Sequence, residues 1–169
     1  MVRLSRKLSS LCDSINKCVV NISAVLLFLM LIFSVIAIFF RYFLGNPLAW
    51  AEDILLPAFV WMSLLGISIA FRASSHMAIE SFINLLSSQK REKLIIAGQS
   101  MIVGLSVFLT IEGVKMVFAT TSTRWGVLQL PPTYFYISFP FAFSLISIYG
   151  IDEIIRKTVE FDESMIRAS

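Results

Sequence analysis

Glu52 and Asp53 stand side by side immediately before an uncharged apolar run at 54–71. Two carboxylates at the mouth of a membrane-crossing segment admit three kinds of chemistry: proton relay, ion pairing, or complementing the positive end of a helix. A relay needs a carboxylate held inside the hydrocarbon. These two fall near its edge, where a carboxylate stays ionised. Arg41 leaves the preceding apolar run at the same level, so an Arg41–Glu52 pair is geometrically reasonable; a cation on a partner chain is the alternative counter-charge. Asp53 lies about 100° further round a helix and points elsewhere, so it is expected to complement the helix start beside Glu52. Both acids are expected at an assembly interface.

The other reactive residues exclude more than they suggest. His76 is the single histidine, and Cys12 and Cys18 have no companions at ligand spacing. Neither a metal site nor a pair of axial haem ligands can be built from them. The chain contains no phosphate-cradling glycine loop and no hydrolytic triad. The expectation is a non-enzyme without cofactor or metal. The net charge of +3 comes from basic residues at the ends of apolar runs rather than in one patch, which argues against nucleic acid.

The elements that must position these residues are membrane helices. At 57% hydrophobic residues in 169, one aqueous core could not hide the apolar surface. A helix crosses the hydrocarbon in roughly 20 residues. Four runs fit, at about 18–40, 50–71, 94–114 and 133–151. The first follows basic residues as a signal peptide would, but it is long and lacks a small-residue cleavage site, so it is expected to be an uncleaved helix. The fold class is therefore an all-α integral membrane protein, a single membrane domain over 1–169. Basic residues favour the cytoplasmic side. With both termini inside, Arg3, Arg6, Lys7, Lys17, Arg72, Lys90, Arg91, Lys93, Arg156, Lys157 and Arg167 fall inside, against Arg41, Lys115 and Arg124 outside. N-in, C-in is the expected topology.

Within that frame, Asn46 reads as an N-cap and Pro47 as the first residue of the second helix. Trp50 and Trp61 are eleven residues apart, about three turns, and share a face of such a helix. They serve either as packing residues at an interface or as lipid-facing anchors. Gly66 and Ala70 form a small-residue pair that lets another helix approach. Residues 76–88 read as a short amphipathic helix on the cytoplasmic surface, with an ordinary surface loop as the alternative. Arg72 is expected to meet helix-end carbonyls or lipid phosphates, and His76 to fix the start of that surface helix. The outer loops at 44–47 and 120–132, with Asn46, Arg124 and Trp125, are expected to dock a soluble partner or else to be plain solvated loops. No span carries an ionisable residue at its centre, where ion-coupled carriers usually keep one. Alone, the chain is not expected to transport.

The stretch 41–80 combines Arg41, Trp50-Ala51-Glu52-Asp53, Trp61, Leu65-Gly66, Ala70-Phe71-Arg72 and His76-Met77-Ala78-Ile79. In this it resembles the small, Q-type membrane subunit of tripartite ATP-independent periplasmic (TRAP) transporters. Asp53 departs from the more usual second Glu but keeps the charge. The resemblance implies a non-catalytic subunit that braces a large membrane subunit and helps dock a periplasmic substrate-binding protein. Sodium coupling and the substrate site would then belong to the large subunit. The cargo would be an organic anion such as a carboxylate or a sialic acid. Some relatives fuse both membrane subunits; a chain ending at 169 is expected to be the separate form. The alternatives are a membrane anchor or assembly subunit of another multi-subunit inner-membrane complex, and a self-assembling small transporter.

Overall fold

The computed structural model describes residues 2–74 and 88–168. They form five helices: α1 (Val2–Tyr42), α2 (Ala51–Ser74), α3 (Ser88–Ala119), the short α4 (Thr133–Tyr136) and α5 (Ser138–Ala168). Four stretches are helical, long and apolar enough to cross a membrane: Lys7–Tyr42, Ala51–Ala73, Ile96–Ala119 and Thr133–Val159. Among the described residues there is no strand, only an isolated antiparallel bridge between Trp125 and Leu130. The chain is an all-α, multi-pass membrane protein. The expected surface helix at 76–88 and His76 lie essentially outside the described residues.

Three helices run past the apolar stretches that mark them. At 1.5 Å per residue, the 41 residues of α1 reach about 60 Å, roughly twice the hydrocarbon thickness. Hydropathy marks where lipid is, whereas the polar ends, rich in Ser, Lys, Arg and Glu, continue the same backbone ladder.

The start of α2 differs from the expected Pro47. Asn46 does not cap it: its N–H donates to the Phe40 carbonyl at 3.2 Å, closing the end of α1. Gly45 makes that closure at φ 62°, a left-handed conformation that glycine adopts without a Cβ penalty. A turn follows, in which the Ala51 N–H donates to the Leu48 carbonyl, and α2 begins there. Trp50 therefore precedes the helix and shares no helical face with Trp61.

Helices α2 and α5 bury stripes at alternating three- and four-residue spacing. On α5 it runs through Ser138, Ala142, Leu145, Tyr149 and Asp152; on α2 the buried residues Leu65, Ser68 and Arg72 lie on one face with half-buried Trp61. Cys12 and Val19 of α1, Leu65 of α2, and Leu145 and Tyr149 of α5 make one core, with Trp61, Ile69 and Phe71 packed against it. On its other side α5 packs antiparallel to α3. Ser106 and Ser147 share a hydrogen bond of 2.9 Å. A Cβ on Gly113 would come within 2.9 Å of the Pro140 ring, and one on Gly150 would run into Val103. Small residues thus bring these two helices close, as membrane helices require when apolar burial offers no drive between them.

Both prolines within the spans remove a helical donor, and the consequences differ. Pro140 cannot bond to the Tyr136 carbonyl, and the fourth span breaks at Ile137 into α4 and α5. Pro57 cannot bond to the Asp53 carbonyl, yet α2 continues through it. The replacement donor is the Tyr134 hydroxyl, 2.9 Å from that carbonyl. A distant side chain completes the ladder.

Candidate functional site

The charged side chains gather at the two ends of the bundle. At one end, α2 finishes with Arg72, 6% exposed. Its Nη1 donates to Asp152 Oδ2 of α5 at 2.7 Å. Its Nη2 donates to Asp13 Oδ1 of α1 at 2.8 Å and to Ser9 Oγ at 3.3 Å. The guanidinium also lies over the Tyr149 ring, 5.7 Å from its centroid. One planar fork thereby ties three helices together, which a lysine's single point charge could not do. Asp152 is completely buried, and next to it the buried Glu153 pairs with Arg156 and lies 3.4 Å from Lys157 Nζ.

Arg72 was expected to meet helix-end carbonyls or lipid phosphates; in the structure its Nη1 and Nη2 donate instead to two acids and a serine of neighbouring helices. Asp13 and Asp152 are the participants that motif reading missed. The pattern did hold a signal: Asp152 is the next position along the stripe of Ser138, Ala142, Leu145 and Tyr149. Arg72 likewise follows Leu65 and Ser68. An acid and a base at buried positions on adjacent helices need each other.

At the opposite end the adjacent acids separate. Glu52 lies 3.4 Å from Arg41, as the spacing suggested, with side chains 80% and 57% exposed. These two rim a groove of 390 Å³ between α1 and α2, whose walls include Ala37, Ile38, Leu48 and Leu55. Trp50 packs on Phe33 of α1, ring centroids 5.6 Å apart. Asp53 is buried and turned the other way. Its Oδ2 accepts the Leu128 N–H at 2.8 Å. Tyr134, whose hydroxyl reaches the Asp53 carbonyl, accepts at its own carbonyl the indole N–H of Trp61, 2.9 Å away. Asp53 and Trp61 are thus both hydrogen-bonded within the chain.

The remaining site residues spread out. Asn46 and Arg124 are exposed, Arg124 with a 3.5 Å contact to the Thr123 carbonyl. Trp125 is half-exposed, and its N–H donates to the Leu130 carbonyl at 3.0 Å. Gly66 and Ala70 lie on an exposed face of α2, and a Cβ at Gly66 would meet nothing within 4 Å. The small-residue pair does not serve packing among the described helices. Among the described residues, no three His, Cys, Asp or Glu are grouped so as to hold a metal.

Residues 29–160 match the family model of tripartite ATP-independent periplasmic transporters, DctQ component. The chain is also 30% identical over 104 residues to the C4-dicarboxylate TRAP transporter small permease protein DctQ of Rhodobacter capsulatus. That alignment takes in 60% of this chain and 45% of the relative, so the matched stretch spans less than half the relative's length.

Proposed function

Because the chain belongs to the DctQ component family of tripartite ATP-independent periplasmic transporters, we propose that it acts as a small, non-catalytic subunit bracing a large membrane subunit. The large subunit carries the substrate and sodium sites, and a periplasmic binding protein delivers an organic anion. C4-dicarboxylates are the first cargo to test, since the Rhodobacter relative is named for them, with sialic acids next. The chain sits in the bacterial inner membrane with both termini cytoplasmic, a topology supported by the placement of its basic residues. That puts the Arg72 cluster inside, and Arg41, Glu52 and the loop at 120–132 outside.

The observation that carries this reading is the family match across 29–160, which includes Arg41, Glu52, Arg72 and Asp152. The exposed charges and small residues divide the labour. Arg41 and Glu52 rim an open groove, and Gly66 lies on an exposed helix face. These are proposed as the surface that meets the large subunit, with Trp50 supporting it through Phe33. Asn46, Arg124 and Trp125 are proposed to meet the binding protein, and membrane lipids cover the rest of the apolar surface. The spans carry no ionisable residue at their centres, which suits a brace better than a carrier.

The test is uptake in sodium-gradient proteoliposomes with the binding protein and labelled organic acids. The chain alone is expected to give no uptake, and co-reconstitution with the large subunit to give it. Uptake by the chain alone would overturn the proposal.

A further inference from the structure

Asp53 is chemically the twin of Glu52, but its surroundings differ. Its carboxylate is held against the loop that joins α3 to α4. Besides accepting the Leu128 N–H, it lies so close to Gly126 that any Cβ there would run into it. Gly126 also has φ 77°, so the position demands glycine for two independent reasons, clearance and conformation. Gln129, at φ 53°, donates from its side-chain amide to the Gly126 carbonyl at 3.0 Å, and the Trp125–Leu130 bridge closes the turn. On the other side, the Asp53 carbonyl accepts the Tyr134 hydroxyl because Pro57 has no N–H to offer it. One residue therefore grips the loop's interior with its side chain and the segment just after the loop with its backbone.

What the grip holds outward is apolar. Val127 is 61% exposed, Trp125 42%, Leu128 40% and Leu130 39%. A short loop with four exposed apolar side chains favours collapse over its own backbone. A charge-assisted hydrogen bond, roughly twice as strong as a neutral one, opposes that.

We infer that Asp53 is a positioning residue that fixes the shape of the 125–130 loop and so the surface this chain presents to the binding protein. The inference rests on the docking reading above. It also reassigns Asp53 away from the assembly surface where its neighbour Glu52 stays.

The experiment uses the assembled complex of this chain with its large subunit in nanodiscs. Two readouts are taken: hydrogen exchange over 125–130, and affinity for the binding protein. Asp53→Ala should raise exchange at the Leu128 amide and weaken binding, each on the order of tenfold, the loss expected for one charged hydrogen bond. Asp53→Asn retains an acceptor oxygen and should recover most of both, which a general packing defect would not allow. Gly126→Ala, which strikes the same contact from the loop side, should reproduce Asp53→Ala and keeps the test intact if that variant assembles poorly. Unchanged exchange at Leu128 in both Asp53→Ala and Gly126→Ala overturns the positioning role. Raised exchange with unchanged binding-protein affinity leaves the grip but overturns the docking reading on which its purpose rests.

Discussion

At one end of the bundle Arg72, 6% exposed, lies between an acid of α1 and a buried acid of α5. At the other, Arg41 and Glu52 approach only to 3.4 Å with both side chains largely open. Each pair is an arginine and a carboxylate, yet their energetic roles are opposite. The buried pair has lost its water, so each member depends on the other, and removing one strands a charge. The open pair keeps its water and contributes about 0–1 kcal/mol at most. Charge with little effect on its own fold remains available to a partner. The same residue chemistry therefore serves cohesion where it is enclosed, and where it is open we propose that it serves recognition.

The sharpest way to break this comparison is to unbalance the enclosed pair. Arg72→Ala or Asp152→Ala should destabilise the isolated chain by about 3–5 kcal/mol in thermal or denaturant unfolding. Arg72→Lys should fail to rescue, because one ammonium cannot reach Asp13 and Asp152 as a fork does. The double change Arg72→Met with Asp152→Leu should lie much closer to the wild type, since it removes both charges together. If the single and double variants are equally unstable, the cluster's effect is packing rather than charge.

Gly113→Val tests whether the α3–α5 contact depends on close approach. The added side chain meets the Pro140 ring, and a loss of about 1–3 kcal/mol is expected. Gly66→Val, with nothing within 4 Å of its Cβ, should leave the isolated chain nearly unaffected while weakening assembly. Tyr134→Phe removes the donor that replaces the missing N–H of Pro57. It should cost about 1–3 kcal/mol, seen as faster exchange in the first turns of α2 as well as lower stability.

These features were unequally legible in the sequence. The four spans followed from hydropathy, because lipid exposure is a property of each run by itself. The Arg41–Glu52 pair was also readable, since eleven residues and one turn separate its members. The Arg72 cluster was not, because its partners lie 59 and 80 residues away and the choice among acids is made by helix packing. The buried stripe pointing to Asp152 was nevertheless present at heptad-like spacing. Asn46 misled for a different reason: its type suits a helix start, but its N–H closes the helix before it. Asp53 was expected to complement a helix end. It does stand in the first turn of α2, but its carboxylate is committed to a loop 75 residues away.

The smallest expected effect on stability carries the most weight for function. Glu52→Ala in the isolated chain should change stability by about 0–1 kcal/mol, within the range of an exposed pair. The decisive measurement sets that value beside retention of the large subunit when the tagged Glu52→Ala chain is purified from the assembled complex. The prediction is near-normal unfolding of the isolated chain together with a clear loss of co-purifying large subunit. A Glu52→Ala chain that unfolds as readily as Asp152→Ala, or one that holds its large subunit as firmly as the wild type, would contradict the division between an enclosed end that builds the fold and an open end that recruits the partner.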